Sequence, residues 1–143
     1  MRKKLKTIIA TFAIATAIVA GAPQVAGAST SYGWSVTAER QGAILFSTAK
    51  SKTTDTSVLV KYSKGSSDYI RVFVYASPTP SSTTFYDVTY PSTKMYIAYK
   101  TNDFDLEVMN LSHERYGDTK AKLGITITSG GTHSGSWIPD IGK

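Results

Sequence analysis

The side chains of this sequence that could do chemistry fall into three groups. The sharpest is an acidic run, Asp103, Asp105 and Glu107. On an extended strand a spacing of two turns all three to one face, with neighbours ~7 Å apart. A hard cation takes oxygen ligands set closer than that, usually with carbonyls added from a loop. The run therefore reads first as a solvated strand face paired with Lys94 and Lys100, and only second as a calcium site. EF-hand spacing is not met, because no loop glycine and no terminal bidentate Glu follow in register.

The two histidines, His113 and His133, form the second group. A zinc site takes three or four ligands, and with no cysteine in the chain the supply is thin. Both histidines are expected at the surface, in polar loops. A Ser/His/Asp arrangement stays open in a chain this rich in serine, but no nucleophile elbow is present. A glycosidase needs two carboxylates facing across a cleft, and the acids here fall mostly on hairpins. No glycine motif that cradles phosphate occurs.

The third group is aromatic. The chain has nine tyrosines, all beyond position 28. Tyr69, Phe73 and Tyr75 share one strand face with Arg71, where the guanidinium is expected to stack across the rings. Tyr86 and Tyr90 share another face, and Tyr96 is expected outward on the strand after it. Rings with one polar tip suit glycan platforms and protein interfaces; they serve equally for cross-strand packing. The candidate binding residues are Tyr69, Arg71, Tyr75, Tyr86, Tyr90, Tyr96 and Trp137. No catalytic set and no cofactor is read from the sequence.

The elements that must position these groups are strands. From Ser29 onward, short apolar–polar alternations are separated by turn residues, which is the two-residue period of half-buried strands. The strongest stretch is Val58–Ala76, in which Val58-Leu59-Val60-Lys61-Tyr62 and Tyr69–Ala76 flank a Gly/Ser-rich tract. It predicts a β-hairpin at the centre of the sheet. Residues 94–100 and 104–109 predict a second hairpin, with Met95, Ile97 and Tyr99 inward. Residues 49–56 read as a polar loop, and 111–119 as a loop or one helical turn.

About eight strands at this spacing predict an all-β fold, an antiparallel β-sandwich, with a small closed β-barrel as the alternative. The expected core includes Trp34, Val36, Ile44, Phe46, Val58, Val60, Ile70, Val72, Val74, Ile97, Leu106, Val108, Leu123 and Ile125.

The first 28 residues read as an export signal. Arg2, Lys3, Lys4 and Lys6 precede an apolar run from Ile8 to Val19, and Ala26-Gly27-Ala28 offers a cleavage site. The apolar run is shorter than the ~20 residues of a spanning helix. Cleavage leaves residues 29–143 as a single β domain of 115 residues, with 12 basic and 10 acidic side chains and a net charge of +2. A charge so small and so spread is no footprint for nucleic acid. A processed chain would keep no membrane span. A domain of this length can bury a core without disulfides, and cysteine-free export suits the surface of a Gram-positive bacterium.

The C-terminal residues Ser134-Gly135-Ser136-Trp137 are followed by Asp140 and Gly142. With the leader and the cysteine-free β-rich domain, this ending resembles a group of small secreted Gram-positive proteins of unassigned function. The resemblance implies secretion and brings no functional residues with it; some similar exported proteins accompany bacteriocin loci. Three function classes follow as expectations. The first is a secreted, non-catalytic surface or binding protein, with cell-wall glycan or another surface protein as partner. The second is a bacteriocin-like antagonist, and the third is a small secreted hydrolase.

Overall fold

The protein is described by a computed structural model over residues 29–141; the export signal expected over residues 1–28 lies outside that range. Ten strands and one short helix follow in chain order: β1 (Tyr32–Ala38), β2 (Ile44–Phe46), β3 (Lys50–Lys52), β4 (Val58–Lys64), β5 (Tyr69–Ala76), β6 (Tyr86–Asp87), β7 (Tyr96–Tyr99), β8 (Leu106–Val108), α1 (Ser112–Tyr116), β9 (Thr119–Ile127) and β10 (Gly131–Ile138). The fold is all-β, built of antiparallel sheets, one of them curled into a half-barrel. Sheet A has the order β1-β10-β4-β8. In sheet B, β5 and β9 form the central pair; β2 and β3 flank β9, while β6 and β7 flank β5. Among the described residues no helix is long and apolar enough to cross a membrane.

One buried cluster joins the two sheets. Trp34, Val36, Val58, Val60, Tyr62, Val108 and Trp137 come from sheet A, and Ile70, Val72, Val74, Ala76, Leu123, Ile125 and Ile127 from sheet B. Strand alternation places them: β4 reads buried at every second residue from Val58 to Tyr62, and β5 from Ile70 to Ala76.

Both predicted hairpins are absent. β4 belongs to sheet A and β5 to sheet B, so the Gly/Ser tract between them carries the chain from one layer to the other. The same holds for β7 and β8. In a hairpin and in a corner between layers the same residues are buried. Periodicity therefore cannot separate side-by-side from face-to-face neighbours. Among the ladders only β5–β6 joins strands adjacent in sequence; β5, for example, runs along β9 from Ile70↔Ile127 to Ala76↔Ala121. At one seam the layers touch directly, where Tyr62 bridges Lys100 and the Thr101 amide donates to the Tyr62 carbonyl at 2.8 Å.

Three burial expectations are corrected by register. Ile44 and Phe46 are 43% and 44% exposed, because their partners on β9, Thr126 and Gly124, point away from the core. β7 is turned over: Tyr96 and Ala98 pair with the core residues Val72 and Ile70 and are buried, while Met95 and Tyr99 are 54% and 61% exposed. Burial of the Tyr96 ring is tolerable because its hydroxyl donates to the Tyr90 carbonyl at 2.6 Å. The 49–56 loop contains β3, whose Lys52 is fully buried.

The Ser-Gly-x-Trp ending is a packing device. It lies on β10, the strand between β1 and β4, with a register shift at Ser134/Gly135. A Cβ on Gly135 would sit 1.9 Å from the Lys61 carbonyl oxygen and 2.9 Å from the Trp34 ring, so only glycine fits. Trp137 fills the core at 0% exposure.

Candidate functional site

Among the described residues three places concentrate polar or aromatic side chains; two are interior and the third faces outward. The first is a buried latch. Lys52 Nζ donates to the carbonyls of Thr54 and Thr56, both at 2.7 Å, and to Asp140 Oδ1 at 2.9 Å. Asp140 also accepts from the amides of Thr53 and Thr54 and from both their hydroxyls. Burial by itself pushes the Asp140 carboxyl up, but the hydrogen bonds from Lys52, Thr53 and Thr54 outweigh it and hold the group below the usual carboxylate range. Burial lowers the Lys52 ammonium, against the pull of Asp140. The latch ties the C-terminal segment to β3, and its charges are spent on each other.

The second place answers the question of a serine–histidine pair. Ser67 Oγ lies 2.8 Å from His133 Nε2. Both residues are inside the protein, at 1% and 0% exposure, so the expectation that His133 lies at the surface is corrected. Ser67 Oγ accepts the amides of Thr128 and Ser129, each at 3.0 Å, and lies 3.3 Å from Ser129 Oγ. His133 Nδ1 lies 3.2 Å from the Gly131 carbonyl, and among the described residues no carboxylate enters the network. Tyr62 closes it by donating to the Ser67 carbonyl at 2.7 Å. With both acceptor sites of the hydroxyl occupied, the arrangement reads as polar core packing. A Cβ on Gly65 would meet the His133 ring at 2.5 Å, at a φ of +146°. His113, by contrast, is partly exposed and lies 3.3 Å from Asp118.

The third place is the outer face of sheet B. Tyr69, Arg71, Phe73 and Tyr75 alternate along β5 away from the core. Their cross-strand partners continue the surface: Tyr99 opposite Tyr69, Ile97 and Thr126 opposite Arg71, Gly124 opposite Phe73, and Lys122 opposite Tyr75. Gly124 leaves a notch in which a Cβ would lie 2.6 Å from the Tyr75 ring. Over that notch Phe46 and Tyr75 meet edge to face at 5.1 Å. Lys122 Nζ sits 4.1 Å from the Phe46 ring centre and 4.3 Å from that of Phe85. Burial, and then the Asp87 charge, push the Tyr75 hydroxyl pKa up.

At the other end of this face a groove of about 390 Å³ opens between β5, β9 and the β1–β2 turn, beside Gln41, Gly42, Tyr69, Arg71, Thr126 and Thr128. Arg71 is exposed there, and among the described residues it has no ion pair, hydrogen bond or cation–π contact. The stack across tyrosine rings expected for it is not formed; Tyr69 packs on Tyr99 instead, at 6.0 Å.

The expected binding residues thus divide. Tyr69, Arg71 and Tyr75 stand together on the open face. Tyr86 is exposed at the sheet edge, but it is paired with the core-facing Ala76 and lies on the other side of the sheet. Tyr90 is exposed near the cis Tyr90–Pro91 bond, apart from the β5 face. Tyr96 and Trp137 are core residues and cannot touch a ligand. Sequence reasoning missed Phe46 and Tyr99, both taken as inward. Their signal lay in strand register, which the alternation alone does not fix.

Asp103, Asp105 and Glu107 are exposed, and among the described residues no group of three or more His, Cys, Asp or Glu could hold a metal ion. The lysines expected to pair with them are engaged elsewhere: Lys94 over the Tyr96 ring and Lys100 on the Gly65 carbonyl. Compared with known proteins, the chain matches no family model, no curated protein and no solved structure, so the reading of its function rests on the geometry.

Proposed function

We propose that the protein is a secreted, non-catalytic surface or binding protein whose ligand lies on the outer face of sheet B. The observation that carries this reading is the uncovered aromatic face itself. Ile44, Phe46 and Tyr99 are exposed beside Tyr69, Phe73 and Tyr75 on one continuous sheet surface. A monomeric protein rarely leaves such a patch unused, and tyrosine supplies contact area with little loss of side-chain freedom. The leader read at residues 1–28 supports binding outside the cell, with cell-wall glycan as the partner to test.

The test is retention of residues 29–143 on purified cell wall and on a glycan array. Retention should fall by about tenfold or more in a Tyr69→Ala/Tyr99→Ala double variant, since two rings leave the contact. Absence of retention on both supports would sink the proposal.

A further inference from the structure

We propose that the groove beside Arg71 is an oxyanion subsite, taking a carboxylate or phosphate carried on a hydroxyl-rich chain. This rests on the reading that the outer face of sheet B binds a cell-wall polymer, and it names the chemistry of that polymer. Three observations support it.

Arg71 is an exposed guanidinium with no partner among the described residues, at the edge of a concave site. A planar fork of five donors matches a carboxylate or phosphate in two-point contact. Among the described residues no Asp or Glu lines the groove, so no carboxylate there competes for it.

The side chains around Arg71 are also unspent. Tyr69, Thr126, Thr128 and Gln41 line the groove, and none of their side-chain polar atoms makes a hydrogen bond among the described residues. Elsewhere in the molecule such groups are used, as in the Thr53, Thr54 and Ser67 networks. Idle hydroxyls and an idle amide around a cation suit a ligand that offers hydroxyls around an anion.

A second cation of this face, Lys122, is already committed. Lys122 lies between two rings, while the rings nearest Arg71, Tyr69 and Tyr99, pack on each other and leave the guanidinium aside. The tyrosine pair is placed to carry the apolar face of the chain that bears the anion.

The experiment titrates residues 29–143 by calorimetry with oligogalacturonate, with poly(glycerol phosphate) and with neutral chitohexaose, each at low and high salt. At least one anionic chain should bind about tenfold tighter than chitohexaose, and that advantage should shrink at high salt. Arg71→Ala should weaken anion binding by about tenfold or more, with Arg71→Lys intermediate because the point charge stays and the fork is lost. The two anionic arms separate a carboxylate ligand from a phosphate one. Chitohexaose binding as tightly as both anions, or an Arg71→Ala variant that keeps the anion's advantage, overturns the oxyanion subsite and leaves the binding platform standing. No binding by any of the three chains overturns both.

Discussion

Lys52 and Arg71 stand in the same sheet with the same charge and opposite surroundings. Lys52, on β3, is 0% exposed and its ammonium is held by two carbonyls and the Asp140 carboxylate. Arg71, on β5, is exposed and has no partner among the described residues. A buried cation must be fully paired, because an uncompensated charge in the interior costs several kcal/mol, about 3–5 in measured cases. An exposed cation has water and needs nothing. Burial therefore marks Lys52 as architecture, and exposure beside a groove leaves Arg71 available to a ligand. Lys122 falls between them, solvent-reachable yet committed to the rings of Phe46 and Phe85.

The largest expected effect strikes the buried side of this contrast. Asp140→Ala strands the Lys52 charge and should lower unfolding free energy by about 3 kcal/mol in urea titration. Binding at a temperature where the variant stays folded should be unchanged. Acid probes the same latch. A carboxyl whose folded pKa is depressed contributes stability above its unfolded pKa and loses it as pH falls through the folded value. The difference in stability between the parent and Asp140→Ala should therefore narrow below about pH 4. A difference that held constant into acid would separate Asp140 from that role.

Ser67→Ala comes next. It leaves the Thr128 and Ser129 amides without their shared acceptor and removes the side-chain contact to His133 Nε2, which keeps the Ser67 amide at 3.3 Å; about 2 kcal/mol of stability should be lost in thermal unfolding. Lys122→Gln removes a cation from between two rings and should cost about 0.5–1 kcal/mol, read by the same melt. Arg71→Ala should move stability least, by under about 0.5 kcal/mol, because it breaks no hydrogen bond, ion pair or cation–π contact among the described residues. A large loss of stability there would erase the contrast between the two cations.

The comparison also explains what was legible in the sequence. The inner residues of β4 and β5 were readable because each strand holds its buried set at a strict spacing of two. The outer run Tyr69, Arg71, Phe73 and Tyr75 was readable for the same reason. Lys52 was not, since a lysine in a Ser/Thr-rich stretch looks solvated until Asp140 arrives from 88 residues away. Phe46, Tyr96 and Tyr99 were misplaced because alternation says that two faces differ and leaves open which one meets the core.

Local composition and period decided that this chain forms cysteine-free antiparallel strands with apolar inner sets; those preferences act over two to eight residues and need no partner. Tertiary packing alone decided which strands are neighbours. Seven of the eight ladders, all but β5–β6, join strands that are not consecutive in sequence. Such pairings are selected by the fit of the whole core and by buried polar partners that must find each other. The Lys52 latch, the Ser67–His133 network and the groove beside Arg71 exist only once the two layers have closed.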